Sequence, residues 1–180
     1  MMHGIKHSRS QGLIDFAFMY AVEAHGTQVR KYTDEPYINH PIEVAQIVAS
    51  VTDDCEMISA ALLHDVIEDT PVTYEDLISA GFGRGIAMLV DELSDKSRPE
   101  DGNRAVRKGI DRDNLAKASA RAHTIKLADL ISNSKSIVEH DPRFAKTYMA
   151  EKKALLHVLV NGDADLHLRA VEIVSDYYLG

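Results

Sequence analysis

The sequence predicts an all-α, single-domain bundle of about eight to ten helices. Three observations predict it. Apolar residues recur at helical rather than strand spacing along nearly the whole chain. Prolines, glycines and capping residues punctuate those periodic segments. A length of 180 residues with 45% apolar and 27% charged content suits one globular unit with a sizeable core.

The elements follow in order. A first helix over 10–25 puts Leu13, Phe16, Ala17, Tyr20 and Ala24 on one face. Residues 26–39 read as a loop, with Pro36 breaking any regular element. Pro41 suits a first helical position, which places His40 at or next to the N-cap. That helix runs through Val44, Ala45, Ile47 and Val48 to near Val51. One continuous helix over 54–69 is expected next, stopped by Pro71. Thr73 and Asp76 have capping-box spacing for a short helix ending near Ala80. Gly81, Gly83 and Gly85 mark a turn, without the spacing or preceding strand of a phosphate-binding loop. A helix over 85–93 follows. Residues 94–109 are polar, contain Pro99 and Gly102, and are expected to form a mobile loop. Helices over 111–137 (with a break near Ser119), 142–160 and 164–178 complete the chain. Repeats and interdomain linkers are not evident.

Composition excludes several classes. No apolar run approaches the ~20 residues of a membrane span. The N-terminal MMHGIKHSRSQG lacks the apolar centre of a secretory signal. Cys55 is the only cysteine, so no internal disulfide can form. A cytoplasmic protein fits these facts. The net charge of −8 argues against nucleic-acid binding. Yet residues 96–126 carry nine Lys/Arg against four acids. Such a segment is either a solvated, charge-rich helix or a guide for a small polyanion.

The stretch Ala61-Leu62-Leu63-His64-Asp65-Val66-Ile67-Glu68-Asp69-Thr70 sets a histidine and three carboxylates into an apolar run. On a helix His64 would lie over Glu68, and Asp65 over Asp69. Buried carboxylates are normally paired or metal-bound, and an adjacent His-Asp offers one nitrogen and one oxygen ligand. A helix with one polar edge facing solvent is the competing reading. Two more places bear on the choice: His40 in Tyr37-Ile38-Asn39-His40-Pro41, and Asp129 in Lys126-Leu127-Ala128-Asp129. Two His and two Asp suit manganese, iron or a similar ion better than a structural zinc site.

Taken in order, Arg30-Lys31, Glu35 to Pro41, Ala60 to Thr70 and Lys126-Leu127-Ala128-Asp129 with Asn133 resemble the HD-domain metal-dependent phosphohydrolases. Among them the chain is similar to the hydrolase domain of the RelA/SpoT homologues, which degrade the alarmone (p)ppGpp. The resemblance covers about residues 21–133, with a motif-bearing core extending to about 148. It implies one HD-type helical domain over 1–180, ending where a bifunctional relative would continue into a synthetase domain, as in small stand-alone alarmone hydrolases. It implies one Mn²⁺ held by His40, His64, Asp65 and Asp129, with Glu68 and Asp69 orienting and activating the attacking water. The implied reaction removes the 3′-diphosphate, giving GDP or GTP and pyrophosphate. Arg30 and Lys31 fall where the family packs against guanine, and Asn133 and Tyr148 where it contacts nucleotide. Charge adds Lys96, Arg104, Arg107 and Lys108 as diphosphate-gripping candidates.

The chain departs from the family at Leu130 and Ser132, where relatives carry Arg and His, and at Tyr32-Thr33-Asp34, which replaces Ser-Gly. These positions keep open a different nucleotide substrate: an adenine alarmone, a nucleoside phosphate or NADPH. A module that senses alarmone without turnover is a further alternative, as is a homo-oligomer. His25, His123, His140, His157 and His167 read as surface or packing residues.

Overall fold

The computed structural model describes residues 9–180; the expectation for the first residues of the N-terminal segment lies outside them. Ten α-helices are found among the described residues: α1 Arg9–His25, α2 Asn39–Ala49, α3 Cys55–Leu63, α4 Val66–Asp69, α5 Tyr74–Ala80, α6 Gly83–Leu93, α7 Arg104–Leu115, α8 Ala120–His140, α9 Pro142–Leu156 and α10 Ala164–Leu179. The all-α expectation is met. One isolated bridge, Val29 to Pro36, is the only β pairing described.

Local chemistry sets the boundaries. Asp54 caps α3 by accepting from the Glu56 and Met57 amides, satisfying two of the amides a helix start leaves free. Thr73 and Asp76 form the expected reciprocal capping box on α5. Gly81 ends α5 at φ 100°, a left-handed position that glycine takes without steric cost. Ser119 caps α8 at the expected break.

The loop over 94–109 is shorter than the sequence suggests. Pro99–Asp101 form a 3₁₀ turn, and Asn103 caps α7 by accepting from the Val106 amide. The helix therefore starts at Arg104 rather than Asp111. Polar composition hid it, because α7 faces one side to water over most of its length.

Helix α8 organises the bundle. It packs against α2, α3, α6, α9 and α10, while α1 lies along α3. Its inner face carries Ile125, Leu127, Ala128 and Leu130, all fully buried. Burying one such aliphatic side chain contributes roughly 1.5–3 kcal/mol, so α8 fixes the frame on which Asp129 is presented. Leu130, one of the positions departing from the family, is part of this core and offers no polar contact.

Candidate metal centre and nucleotide cleft

His40 is the second residue of α2 and only 2% exposed. His64 and Asp65 sit between α3 and α4, which corrects the expectation of one continuous helix over 54–69. Asp65 takes φ −101° and ψ −3°, the bridge region that active-site residues often occupy. Adjacent side chains on an unbroken helix diverge by about 100°. The interruption instead brings His64 Nε2 within 3.0 Å of Asp65 Oδ2. Asp129 reaches the same place from the middle of α8. Its Oδ1 is 3.2 Å from His40 Nε2 and 3.8 Å from His64 Nε2. His40 Nε2 is 3.6 Å from Asp65 Oδ2. The ligating atoms of His40, His64 and Asp65 lie within 4.8 Å of one another.

The donor set fits a divalent cation. His64 Nδ1 donates to the Ala61 carbonyl at 2.8 Å, so in the neutral ring Nε2 carries the lone pair. That nitrogen is buried and makes no aligned hydrogen bond, although Asp65 Oδ2 is close. A lone pair and two carboxylates converging in a buried space repel one another unless a cation lies among them. A proton competes for that place: burial opposes charge on His64, but Asp65 and then Asp129 outweigh it and hold the imidazolium up to about 9. Burial likewise opposes charge on the two carboxylates. The His64 ring beside Asp65, and the Lys126 ammonium beside Asp129, nevertheless hold both well below the usual carboxylate range.

Two partners escaped the sequence reading. The Tyr37 hydroxyl donates to Asp65 Oδ2 at 2.6 Å. Burial and the Asp65 charge push its phenol far up, so it stays a donor. Lys126 Nζ lies 3.1 Å from Asp129 Oδ2 with a side chain only 12% exposed. Both residues belong to motifs visible in the sequence, but nothing in one sequence reveals that a lysine is buried.

Glu68 and Asp69 stand on α4 beside this cluster. Glu68 keeps solvent access but is closely surrounded by protein. That crowding raises its carboxyl to about 7; Lys126 pulls it down, and Asp95 and Asp65 push it up. The Asp95 amide donates to Glu68 Oε1 at 2.7 Å. The loop carrying Asp95 is pinned by Asp111, a buried carboxylate on α7. Asp111 Oδ1 accepts from the Lys96 and Ser97 amides at 2.9 and 2.8 Å, and Oδ2 from the Ser97 hydroxyl at 2.9 Å. Asp69 is also raised, by burial and by Asp65, against Tyr37, His25 and His64. Gln28 Nε2 donates to its carbonyl at 2.7 Å.

A cleft of about 850 Å³ lies among α7, α8 and α9 and meets the cluster through Lys126, the partner of Asp129. Arg104, Lys108, Arg112, Lys126, Lys146 and Lys152 supply its positive wall. Lys126 belongs to both cleft and cluster. Burial and the neighbouring Lys126 and Lys108 lower the Lys152 ammonium to about 8, against the pull of Asp129. Tyr148 lines this cleft with a buried hydroxyl that has no hydrogen-bond partner. Of the four charge-based candidates only Arg104 and Lys108 line it. Arg104 is held bidentately by Glu151 at 2.7 and 2.9 Å, and Lys108 pairs with Asp95 at 2.6 Å. Lys96 pairs with Asp91 at 2.7 Å, and the buried Arg107 Nε lacks a partner; neither residue lines the cleft.

Arg30 and Asn133 adjoin the cluster and do not line the cleft. Arg30 Nη2 donates to Asn133 Oδ1 at 3.0 Å, and Asn133 Nδ2 to Asp129 Oδ1 at 2.6 Å. Lys31 is largely exposed, with its ammonium 4.8 Å from the Tyr32 ring centre and 5.9 Å from that of Phe144. Asp34 has φ 56°, so the departing loop keeps a left-handed turn that glycine takes freely and Asp tolerates. His25 is buried against Tyr37, and His123 and His167 point a ring nitrogen at a main-chain carbonyl. His25 Nδ1 also lies 2.9 Å from Gln28 Oε1, while its buried Nε2 has no partner.

An all-α fold in which two His and two Asp converge from a helix start, a helix break and the middle of α8 has the donor set of a metal-dependent hydrolase. A family model described as "HD domain" matches residues 17–161, and the chain belongs to that family. The guanosine-3′,5′-bis(diphosphate) 3′-pyrophosphohydrolase MESH1 of Drosophila melanogaster is 36% identical over 163 residues, covering 86% of this chain and 88% of the fly protein. The bifunctional (p)ppGpp synthase/hydrolase SpoT of Escherichia coli is 41% identical over 124 residues, 67% of this chain but only 17% of that protein. A solved structure, described as a metazoan ortholog of SpoT that hydrolyzes ppGpp and plays a role in starvation responses, superposes with TM-score 0.81. It is 32% identical and covers 97% of this chain and 98% of its own. No helix among the described residues is long and apolar enough to cross a membrane.

Proposed function

We propose that this chain is a Mn²⁺-dependent phosphohydrolase that removes the 3′-diphosphate of (p)ppGpp, releasing GDP or GTP and pyrophosphate. One observation carries the reading: the His40, His64, Asp65 and Asp129 cluster adjoins both a raised carboxyl, Glu68, and a cation-lined cleft of about 850 Å³. That volume lies within the range of small-molecule sites. The relatives' names point to the same chemistry.

When bound, a divalent cation supplies Lewis acidity that polarises a phosphoryl oxygen and acidifies water. The chain's residues do the rest. Glu68, held by the Asp95 amide, orients the attacking water and accepts its proton. Asp69 assists from the next position on α4. The water oxygen joins phosphorus as the bond from phosphorus to the 3′ oxygen breaks, and that oxygen takes up a proton, the one passed to Glu68 or one from solvent, to leave as a hydroxyl. Lys126, Arg104 and Lys108 offset charge on the diphosphate. Arg30 presents a flat guanidinium, held by Asn133, for the base to stack upon. Tyr148 lines the same space, with its hydroxyl buried behind the cleft wall.

A second reading keeps the chemistry and changes the nucleotide. It draws on Tyr32, whose hydroxyl donates to Asp141 Oδ2 at 3.0 Å and whose ring stacks on His140. This wall differs from the family's usual loop. The deciding assay is pyrophosphate release from ppGpp, with and without Mn²⁺, run beside pppApp, nucleoside triphosphates and NADPH with products resolved. Metal-dependent GDP formation supports the first reading. Turnover confined to another nucleotide supports the second. Binding of ppGpp without turnover of any substrate points to a sensing module.

A further inference from the structure

His40 and His64 enter the metal cluster held in different ways. His64 is fixed by a main-chain carbonyl, that of Ala61. His40 is fixed by side chains. Its Nδ1 lies 3.0 Å from Ser132 Oγ on α8, and Ser132 Oγ donates to Glu43 Oε2 on α2 at 2.7 Å. A serine hydroxyl has one hydrogen. Since that hydrogen goes to Glu43, Ser132 Oγ accepts from His40, and the His40 proton sits on Nδ1. The Nε2 lone pair then faces Asp129 and Asp65. Asn133 Nδ2, 3.4 Å from Nε2, is a donor and agrees with this tautomer.

We propose that Ser132 and Glu43 form a hydroxyl–carboxylate relay that sets the tautomer and orientation of His40, and through them the metal affinity of the centre. The inference rests on the reading of His40, His64, Asp65 and Asp129 as a metal site. The relay is well placed to act. Ser132 is only 5% exposed, which leaves little competition from water for its hydroxyl. Glu43 is half exposed and lies 3.8 Å from Arg30 Nη1, which keeps its carboxylate on the cluster side of α2. The relay also joins α2 to α8, the two helices that supply His40 and Asp129. A metal-bound imidazole that loses such an outer partner typically loses about 10–100-fold in metal affinity.

The test is calorimetric titration of metal-stripped protein with Mn²⁺, which reads affinity without turnover. Ser132→Ala should weaken binding about 10–100-fold. Ser132→Thr keeps the hydroxyl and should restore most of the affinity. Glu43→Gln keeps an acceptor but removes the charge, and should show a smaller loss than Ser132→Ala. Circular dichroism confirms that each variant is folded. If the wild type binds Mn²⁺ and folded Ser132→Ala binds it equally well, the relay is wrong. If Ser132→Ala does not fold, Glu43→Gln decides: unchanged affinity overturns the proposal and weakened affinity sustains it. A wild-type protein that binds no Mn²⁺ overturns the metal-site reading itself, a distinguishable failure.

Discussion

The main-chain amide of Asp95 donates to Glu68 Oε1 at 2.7 Å. This bond ties the proposed water-activating carboxylate on α4 to the loop that follows α6. It stabilises the ionised form of a group whose surroundings otherwise favour the neutral one.

Glu68 gives a pH prediction. Its carboxyl is raised to about 7, so the folded protein binds this proton more tightly than the unfolded chain does. The contribution to stability is full below the ordinary carboxylate pKa and is lost as pH rises through about 7. Denaturant titrations of metal-free protein should therefore show wild type losing stability over that window relative to Glu68→Gln. In turnover the ionised form is the active one, so the rate should rise with pH, with a bound cation moving the limb below about 7. Glu68→Gln should still bind metal and lose roughly 10²–10⁴-fold in kcat; near-normal turnover would remove Glu68 from the mechanism.

Asp111 is expected to matter through the loop it holds. Asp111→Ala strands the Lys96 and Ser97 amides. These amides are only partly buried, so the loss should fall at or below the low end of the about 1–3 kcal/mol of a buried unsatisfied donor, measured by chemical denaturation. The loosened loop should also misplace the Asp95 amide, so kcat should fall more than KM rises. Asp111→Asn retains an acceptor oxygen and should recover both properties. Equal kinetics in all three proteins would separate this anchor from Glu68.

Metal removal should be felt in stability as well as rate. A ligand present at 100 times its dissociation constant stabilises the folded state by about 2.7 kcal/mol. Thermal scans of stripped protein should shift upward on adding Mn²⁺. The shift should vanish in His64→Ala, which removes the Nε2 that the Nδ1 bond to the Ala61 carbonyl orients. A persistent shift in that variant would place the ion elsewhere.

Gly162 tests the packing behind the site. A Cβ there would lie 2.7 Å from Leu127 Cδ1 and 3.1 Å from both the His123 carbonyl carbon and the Thr124 nitrogen. Two of those contacts are α8 main chain, which cannot rotate away. Gly162→Ala should lower stability by about 1–3 kcal/mol, measured by urea unfolding. No loss would show that the chain entering α10 can move relative to α8.

The sequence made the ligand set legible because each ligand carries a local mark: His40 precedes a proline, His64-Asp65 interrupts an apolar run, and Asp129 is embedded in apolar neighbours. The helix ends were legible where a cap or a glycine sets them, as at Thr73, Gly81 and Ser119. The break at Leu63–Val66 was not, because Ala, Leu and Val suit an unbroken helix and the interruption is imposed by tertiary contacts. The start of α7 was missed because Arg104 to Lys108 reads as polar loop. Asp111 and Ser132 depend on partners distant in sequence, which no periodicity reveals, and the burial of Lys126 leaves no local mark.

The cluster draws His40 from one helix start, His64 and Asp65 from an adjacent break, and Asp129 from far along the chain on α8. A cation held there would act as a removable crosslink between the first and second parts of the polypeptide. It would close the intervening chain into a ring, and ring closure restricts an open chain's freedom in proportion to the logarithm of its length. Loaded protein would then resist the parting of α2 from α8, whereas stripped protein would open along that seam first, and the same ion would set both the chemistry and the order of unfolding.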